Sequence, residues 1–274
     1  MVTVTKKSVK SKKLSTQILN SSKQVAKHLN DIKIGDHQIG DVLKSTLKLS
    51  HFDVANILKG IGKTESQIAA VLKKTYKISA SLTAKTLNDL GTPVETITQS
   101  LKTVYKQNAK QVASILNKIN TTVPEIGNVM KSVFKKSAKD TAVILKGIGK
   151  SEGHIAMVLQ KTFKQSATQA AKSLKDIGSS VDSIGTVLKK VYKQNGKQAA
   201  SIFKTLTKDS KAVAKALKKT FNMNLKDLTD TIQRHFKLSK KNLHSTLKDA
   251  GFPIKEVKNV VETVASGIKN FFHL

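Results

Sequence analysis

Lysines occur in pairs four residues apart, and the pairs recur every 29 residues along this chain of 274 residues. A lysine ammonium is a hydrated point charge that attracts phosphates, whereas arginine forms the two-pronged hydrogen bonds that read bases. Arg234 is the only arginine, so the pattern favours diffuse attraction to a polyanion. We predict that the paired positions bind nucleic acid or another polyanion. The candidate residues are Lys44, Lys48, Lys73, Lys77, Lys102, Lys106, Lys131, Lys135, Lys164, Lys189, Lys193 and Lys218.

A spacing of four places both lysines of a pair on one face of a helix, in its last turns, where a cation complements the helix dipole. Acids hold the reverse place, near the starts of the same helices. Stacking in register would then give a ladder of lysines along one edge and a row of acids along the other. Dipole complementation and solubility explain the same pattern without a ligand, and both interpretations stay open. The acids are Asp36, Glu65, Glu95, Glu125, Glu152 and Asp182.

The chain offers little for catalysis. GKT at 62–64 and GKS at 149–151 resemble ends of a phosphate-binding loop, but Ile57 and Ile144 stand where that motif requires glycine. The seven histidines are scattered without a metal-ligand spacing, and no nucleophile motif is present. We therefore expect a protein that is not an enzyme and that has no cofactor and no metal.

Composition points to helices and to an anionic partner. Hydrophobic residues make up 39% of the chain, aromatic residues only 4%, and the net charge is +31. Such a charge attracts nucleic acid, anionic membranes or acidic proteins, although codon bias also enriches lysine. There is no cysteine and no run of 18 apolar residues, so we expect neither disulfides nor a transmembrane segment. Residues 1–30 contain no acid, which fits a targeting peptide, a basic arm or a cap; localisation stays unassigned.

Seven blocks of 29 residues tile 22–224, starting at 22, 51, 80, 109, 138, 167 and 196. Position 5 of every block is alanine, position 8 is leucine or phenylalanine, and position 12 is usually glycine, which accepts the left-handed conformation that ends a helix. Apolar residues then recur at positions 18, 21, 22, 25 and 26, a second helical face. Each block is thus predicted to be a hairpin of two short helices, and Thr64 with Gln67 to form a capping box at the second.

One hairpin cannot bury its apolar faces alone, but stacked neighbours can. The sequence therefore predicts an all-α fold, a right-handed α-solenoid of stacked two-helix hairpins with degenerate terminal caps. Position 26 shares the phase of the apolar series, so we expect its side chains in the core. They are Leu47, Tyr76, Tyr105, Phe134, Phe163, Tyr192 and Phe221.

The ends depart from the repeat. Residues 1–21 are expected to form a basic arm or a half-repeat cap around Leu14, Ile18 and Leu19. Residues 225–239 match the second helix of a block, which predicts an extra second-type helix. Residues 240–274 form a degenerate capping repeat that ends in the apolar tail KNFFHL.

The order of first helix, turn and second helix resembles tandem α-helical-hairpin proteins at the level of the class. It also resembles the TAL-effector type of repeat, which reads DNA one base at a time. Those repeats are longer and carry Gly-Gly before the second helix, a feature absent from this chain. The resemblance therefore assigns no base-reading residue here.

Three functions are compatible with the sequence. The first is a non-enzymatic solenoid that holds the phosphates of DNA or RNA through its lysine ladder. The second is a structural scaffold whose surface binds a protein partner. The third is a membrane-active cationic protein, although its apolar faces are needed to join the repeats.

Overall fold

A computed structural model describes the backbone of residues 3–271 and the side chains of residues 16–263. Every regular element in this part of the chain is helical, and consecutive helices pack as pairs. The predicted all-α, solenoid-like repeat fold is confirmed. The side chain of Leu14 and the apolar tail at 269–274 lie outside the described side chains.

The chain divides into two compact units, of which the first is residues 1–135. Its odd-numbered helices contact one another in sequence, as do the even-numbered ones. The first helices of the blocks thus form one row and the second helices another. The elements are α1 (Thr3–Asp31), α2 (Asp36–Asp41) with a π-helical turn (Val42–Thr46), α3 (His51–Gly60), α4 (Glu65–Lys74), α5 (Ala80–Asp89), α6 (Val94–Thr103), α7 (Ala109–Lys118) and α8 (Val123–Ser132).

The second unit is residues 136–274 and has the same two rows. α9, α11, α13, α15 and α17 form the row of first helices, and α10, α12, α14 and α16 form the row of second helices. The elements are α9 (Ala138–Gly147), α10 (Glu152–Lys161), α11 (Ala167–Asp176), α12 (Val181–Lys190), α13 (Gly196–Leu206), α14 (Ser210–Phe221), α15 (Leu225–Phe236), α16 (Lys240–Asp249) and α17 (Ile254–Phe271).

The helix within 225–239 corrects the sequence-based assignment. α15 contacts α13 and α16 contacts α14, so α15 lies in the row of first helices rather than being an extra second-type helix. The apolar phase of α15 matches a second helix, but its place follows from chain order: the chain reverses after α14, and the next helix returns to the other row. α16 and α17 then continue the two rows through 240–271.

Two kinds of turn connect the helices. The intra-repeat turn, positions 11–14, joins the two helices of a block, and the inter-repeat turn, positions 25–29, leads to the next block. The glycines at position 12 have φ between 73° and 84°, so the predicted left-handed helix ends are confirmed. The predicted capping box between Thr64 and Gln67 is also present. The glycines are Gly62, Gly91, Gly149 and Gly178.

The core lies between the two rows. All seven alanines at position 5 are fully buried, which fits small side chains at a site of close helix packing. The side chains at position 26 are only half-buried, which corrects their assignment to the core. In the five blocks from 51 to 195 the second helix ends at position 24, so position 26 belongs to the inter-repeat turn. The alanines are Ala26, Ala55, Ala84, Ala113, Ala142, Ala171 and Ala200.

The start of the chain is helical rather than a separate segment. α1 runs without interruption from Thr3 to Asp31, across the expected boundary at residue 21. The first helix of block 22–50 therefore extends back through most of the predicted arm. Ile18 is exposed and Leu19 is half-buried on this extension.

Candidate polyanion interface

The lysines at position 27 do not lie on a helix, which corrects the prediction that positions 23 and 27 share one helical face. Each adopts the left-handed conformation in the inter-repeat turn, with φ between 53° and 57°. The backbone turns away from the helix axis at position 25, so a spacing of four no longer aligns the two side chains. The six residues are Lys48, Lys77, Lys106, Lys135, Lys164 and Lys193.

These six position-27 lysines are exposed. Among the described residues, none of their ammonium groups forms a hydrogen bond, an ion pair or a contact with an aromatic ring. The fold therefore holds their backbone and leaves their charge to the solvent. That is the state expected of a cation that is available to a ligand.

Lysine is an unfavourable residue for this backbone conformation. A side chain with a Cβ loses about 1 kcal/mol in the left-handed region, which glycine and asparagine tolerate better. Position 12 of the intra-repeat turn has positive φ in six blocks, and there the chain uses glycine four times, asparagine once and lysine once, at Lys33. At position 27 it uses lysine six times and asparagine once, at Asn222. The lysine is therefore retained at a position whose backbone conformation favours glycine or asparagine.

The lysines at position 23 are engaged by the fold. The Nζ atoms of Lys44, Lys73 and Lys102 donate to the carbonyl oxygens of Thr75, Val104 and Val133 at 2.6, 2.7 and 2.9 Å. Each acceptor stands 31 residues later, at the C-terminal end of the second helix in the next repeat. The ammonium therefore caps a neighbouring helix and compensates the negative end of that helix's dipole.

The same ammonium groups lie over the aromatic rings of position 26. Nζ of Lys44 is 5.1 Å from the ring centroid of Tyr76, and Nζ of Lys73 is 5.3 Å from that of Tyr105. A cation over a ring at this distance contributes about 0.5–1 kcal/mol at an exposed site. The ring and the carbonyl next to it together form the receptor for the lysine of the preceding repeat.

The second unit repeats this contact. Nζ of Lys189 donates to the carbonyl oxygen of Thr220 at 2.5 Å and lies 5.9 Å from the ring of Phe221. In the terminal blocks, Nζ of Lys218 donates to the carbonyl oxygen of Gly251 at 2.5 Å and lies over Phe252.

Where the repeat lacks lysine, Gln160 takes its place. The side-chain amide of Gln160 donates to the carbonyl oxygen of Val191 at 3.3 Å. A hydrogen-bond donor is thus kept at position 23 even where the charge is lost.

Tyrosines at position 26 also hold the preceding repeat. The hydroxyl of Tyr76 donates to the carbonyl oxygen of Leu49 at 2.8 Å, and that of Tyr105 to the carbonyl oxygen of Ile78 at 3.1 Å. Burial raises the pKa of Tyr76 to about 12, with a smaller contribution from the Asp53 carboxylate. The hydroxyl is therefore kept protonated and able to donate.

Charge is concentrated around the inter-repeat turns of the first unit. Within 22–135, positions 23–29 with 1–3 carry lysines and a single acid, Asp53. Positions 9–17, around the intra-repeat turns, carry both lysines and acids. The lysines of the first set are Lys23, Lys44, Lys48, Lys73, Lys74, Lys77, Lys102, Lys106, Lys110, Lys131 and Lys135; the second set holds Lys33, Lys59, Lys63, Lys118, Asp31, Asp36, Glu65, Asp89, Glu95 and Glu125.

The second unit has the same asymmetry. Within 136–224 the inter-repeat regions again carry a single acid, Asp140. Exposed ion pairs join Lys139 to Asp176 at 3.9 Å and Lys219 to Asp182 at 3.7 Å, contacts too exposed to hold either lysine firmly. The lysines of the inter-repeat regions are Lys136, Lys139, Lys161, Lys164, Lys189, Lys190, Lys193, Lys197, Lys218 and Lys219; the intra-repeat regions hold Lys146, Lys150, Lys175, Lys204, Lys208, Lys211, Glu152, Asp176, Asp182 and Asp209.

The predicted acids lie where the sequence placed them, but they do not make an acidic edge. Each of the six stands at the start of a second helix. Lysines nearby offset them: Nζ of Lys63 is 2.6 Å from the carboxylate of Asp36, which also accepts from Gln67. The intra-repeat side is therefore close to neutral, and the inter-repeat side carries the excess charge.

Sequence reasoning missed the contacts between repeats. Position 9 acts as position 23 does: the Nζ atoms of Lys59 and Lys146 donate to the carbonyl oxygens of Leu90 and Ile177. Apart from the terminal contact of Lys218, both kinds of contact span 31 residues, two more than the repeat. A long donor at position 9 or 23 in nearly every block was the signal that could have revealed them.

Other kinds of site find no support in the described residues. They contain no group of three or more histidines and acids able to hold a metal ion, and no helix with the length and apolarity that crossing a bilayer requires. No protein-family model, curated protein sequence or solved structure matches the chain.

Proposed function

We propose that the protein is a non-enzymatic nucleic-acid-binding solenoid that contacts phosphates through the position-27 lysines. The observation that carries this proposal is their combination of exposure, an unfavourable backbone conformation and the lack of a partner for the ammonium groups among the residues that the structure describes. A cation kept six times at some conformational cost, and used by nothing in the fold, fits a charge that serves a ligand.

The position-23 lysines have a secondary part in this proposal. Their ammonium groups already pair with a carbonyl oxygen and a ring, so a phosphate would have to compete with both. Their charge still adds to the field around the inter-repeat turns. Of the predicted ladder, the position-27 residues are therefore the contacts, and the position-23 residues chiefly support the structure.

The chemistry of lysine sets the expected specificity. Point charges on flexible stems contact phosphates in any sequence, and base readers such as arginine forks are nearly absent from this chain. Neighbouring helices in contact lie about 8–10 Å apart, a step of two to three nucleotides along a strand. Binding should therefore be insensitive to sequence and strongly dependent on salt.

The test compares two triple variants of the first unit that lose the same charge. In one, Lys77, Lys106 and Lys135 become asparagine, the residue that the chain itself carries at position 222. Affinity for a fluorescently labelled oligonucleotide is measured between about 50 and 200 mM salt. We expect affinity to fall at least about ten-fold at low salt, and the slope of log affinity against log salt to shrink by about 2–3.

The matched control replaces Lys27, Lys33 and Lys118 by Gln, Asn and Gln. These exposed lysines lie in the same unit outside the inter-repeat turns, and Lys33 also has positive φ. The control should keep most of its affinity and salt slope. Equal losses in both variants would mean that only total charge matters. A wild-type affinity that does not change with salt would reject phosphate binding and favour the scaffold function.

A further inference from the structure

One phenylalanine in the first unit presents its ring to the solvent. Phe52 is 38% exposed, whereas the other phenylalanines and tyrosines of the described residues are buried or half-buried. Within the same part of the chain, its ring contacts no other ring and no lysine ammonium. The fold therefore leaves part of a flat apolar ring at the surface.

The block that carries Phe52 departs from the other six at the start of its first helix. Positions 1 and 2 of block 51–79 are His51 and Phe52, whereas the other blocks begin with a small residue followed by lysine, serine or threonine. The ring of His51 meets that of Tyr76 edge-on, with centroids 6.4 Å apart, and the ammonium of Lys44 lies over Tyr76. Aromatic rings are thus gathered at the start of α3, and Phe52 is the exposed member of this group.

Two position-27 lysines flank this group of rings. Lys48 lies in the inter-repeat turn that leads into α3, and Lys77 directly follows the tyrosine of the group. Both lysines are exposed. The adjacent acid, Asp53, accepts a hydrogen bond from the hydroxyl of Ser50 at 2.6 Å and offsets the positive end of the α3 dipole. An exposed ring therefore stands among cations that the fold leaves to the solvent.

We propose that the ligand of the inter-repeat surface is a single-stranded nucleic acid and that one of its bases stacks on Phe52. This inference rests on the proposed function, because the lysines must hold the phosphates that bring a base to the ring. Every base has a face that stacks on an aromatic side chain, and proteins combine such stacking with cationic residues to bind single strands without reading sequence. In a duplex the faces are covered by neighbouring bases, so a duplex gains nothing from Phe52.

The lysines themselves also favour a strand over a duplex. One position-27 lysine occurs in each repeat, and neighbouring helices in contact lie about 8–10 Å apart. A single strand adjusts its backbone to cations at that step, whereas a duplex is stiff over about 50 nm. Arginine forks that read the groove of a duplex are absent from the first unit, since the only arginine is Arg234.

A tryptophan at residue 52 tests the inference, because the chain contains none. The emission of Phe52→Trp is followed while a mixed-sequence strand of about 12 nucleotides, or its duplex with the complement, is added at about 50 mM salt. We expect the strand to quench the emission, since a base lies on the indole, and the duplex to change it little. Val143→Trp, at a valine that is 53% exposed on α9, should respond to neither.

Affinity provides an independent measurement. Phe52→Leu keeps an apolar side chain but removes the flat ring, so it should weaken binding of the strand about ten-fold and leave the duplex unchanged. Phe52→Tyr keeps the ring and should bind the strand as wild type does. The asparagine variant of Lys77, Lys106 and Lys135 should weaken both ligands, because both carry phosphates.

The results for strand and duplex separate stacking from phosphate binding. A strand that binds without quenching Phe52→Trp, or equal losses for strand and duplex in Phe52→Leu, would overturn the stacking on Phe52 and leave the proposed function intact. A wild-type chain that binds the duplex as tightly as the strand would also overturn the preference for single strands. A wild-type chain that binds neither would reject the proposed function and this inference together.

Discussion

The lysines at positions 23 and 27 of the repeat differ in backbone conformation and in the contacts that their ammonium groups make. Lys102 ends in a hydrogen bond to Val133 and lies over the ring of Phe134, whereas Lys106, four residues later, has no partner among the described residues. The first has a favourable helical backbone and an occupied ammonium. The second has an unfavourable backbone and a free ammonium.

This difference separates two uses of the same residue type. The long stem of lysine lets position 23 span the gap to the next repeat, where a shorter side chain would fall short. At position 27 no hydrogen bond, ion pair or ring contact among the described residues uses the ammonium. Mutations at the two positions should therefore move stability and binding independently of each other.

The largest effect on stability should come from removing three position-23 contacts in the first unit. Changing Lys44, Lys73 and Lys102 to methionine keeps the apolar stems but loses the hydrogen bonds and the cations over the rings. We expect the free energy of unfolding to fall by about 3 kcal/mol, about 1 kcal/mol for each contact. Urea denaturation followed by circular dichroism measures it.

The same triple change should leave nucleic-acid affinity closer to wild type than the position-27 variant does. If the methionine variant is as stable as wild type, the contacts seen between repeats contribute nothing. If it instead loses as much affinity as the asparagine variant, both positions contact phosphate and the distinction between them fails.

Much of this architecture could be predicted from the sequence, because side-chain size and turn-forming residues recur at fixed positions of the repeat. Alanine at position 5, glycine at position 12 and the Thr64–Gln67 capping box each have a local cause, and each is present. The second helix was extended too far, since the apolar phase continues through position 26 although the helix has already ended. Periodicity alone does not show where a backbone turns.

The contacts between repeats could not be predicted from one repeat. Lys102 finds its acceptor in the next block, and which carbonyl oxygen it reaches depends on how the two helices stack. The row taken by α15 was missed for a related reason: its side chains resemble a second helix, but its position depends on the helices before it. Packing between blocks decides both features, and a sequence pattern describes only one block at a time.

The tyrosines at position 26 offer a second, smaller effect on stability. Tyr76→Phe removes the hydrogen bond to the carbonyl oxygen of Leu49 and should lower the free energy of unfolding by about 1 kcal/mol at neutral pH. Tyr192→Phe is the matched control, because the buried hydroxyl of Tyr192 has no hydrogen-bond partner. Chemical denaturation should find no loss in the Tyr192 variant.

The pH dependence gives the same tyrosine a second readout. The pKa of Tyr76 is about 12 in the fold against 10.0 for the free side chain, so the fold favours the protonated hydroxyl. Its contribution is fully present below pH 10 and is lost as pH rises through 12. Tyr76→Phe should therefore flatten the fall in stability over that interval. An unchanged fall would assign it to other groups, such as Tyr192, whose pKa burial also raises to about 12.

A single substitution at position 27 should raise the free energy of unfolding rather than lower it. Lys106→Asn relieves a left-handed lysine, and we expect the free energy of unfolding to rise by about 0.5 kcal/mol. Asn222→Lys, the reverse change where the chain already carries asparagine, should lower it by a similar amount. Thermal denaturation of the pair decides the point, since two shifts of the same sign would show that backbone conformation is not the cause.

The smallest expected effect comes from completing the row of position-23 lysines. Gln160 reaches the carbonyl oxygen of Val191 at 3.3 Å but brings no charge to the helix end or to the ring of Tyr192. Gln160→Lys should add both interactions and raise the free energy of unfolding by about 0.5 kcal/mol. Gln160→Met separates the terms, because it lacks the hydrogen bond as well and should fall below wild type. If lysine and methionine at 160 prove equally stable, position 23 works through its apolar stem, and its difference from position 27 is one of burial rather than charge.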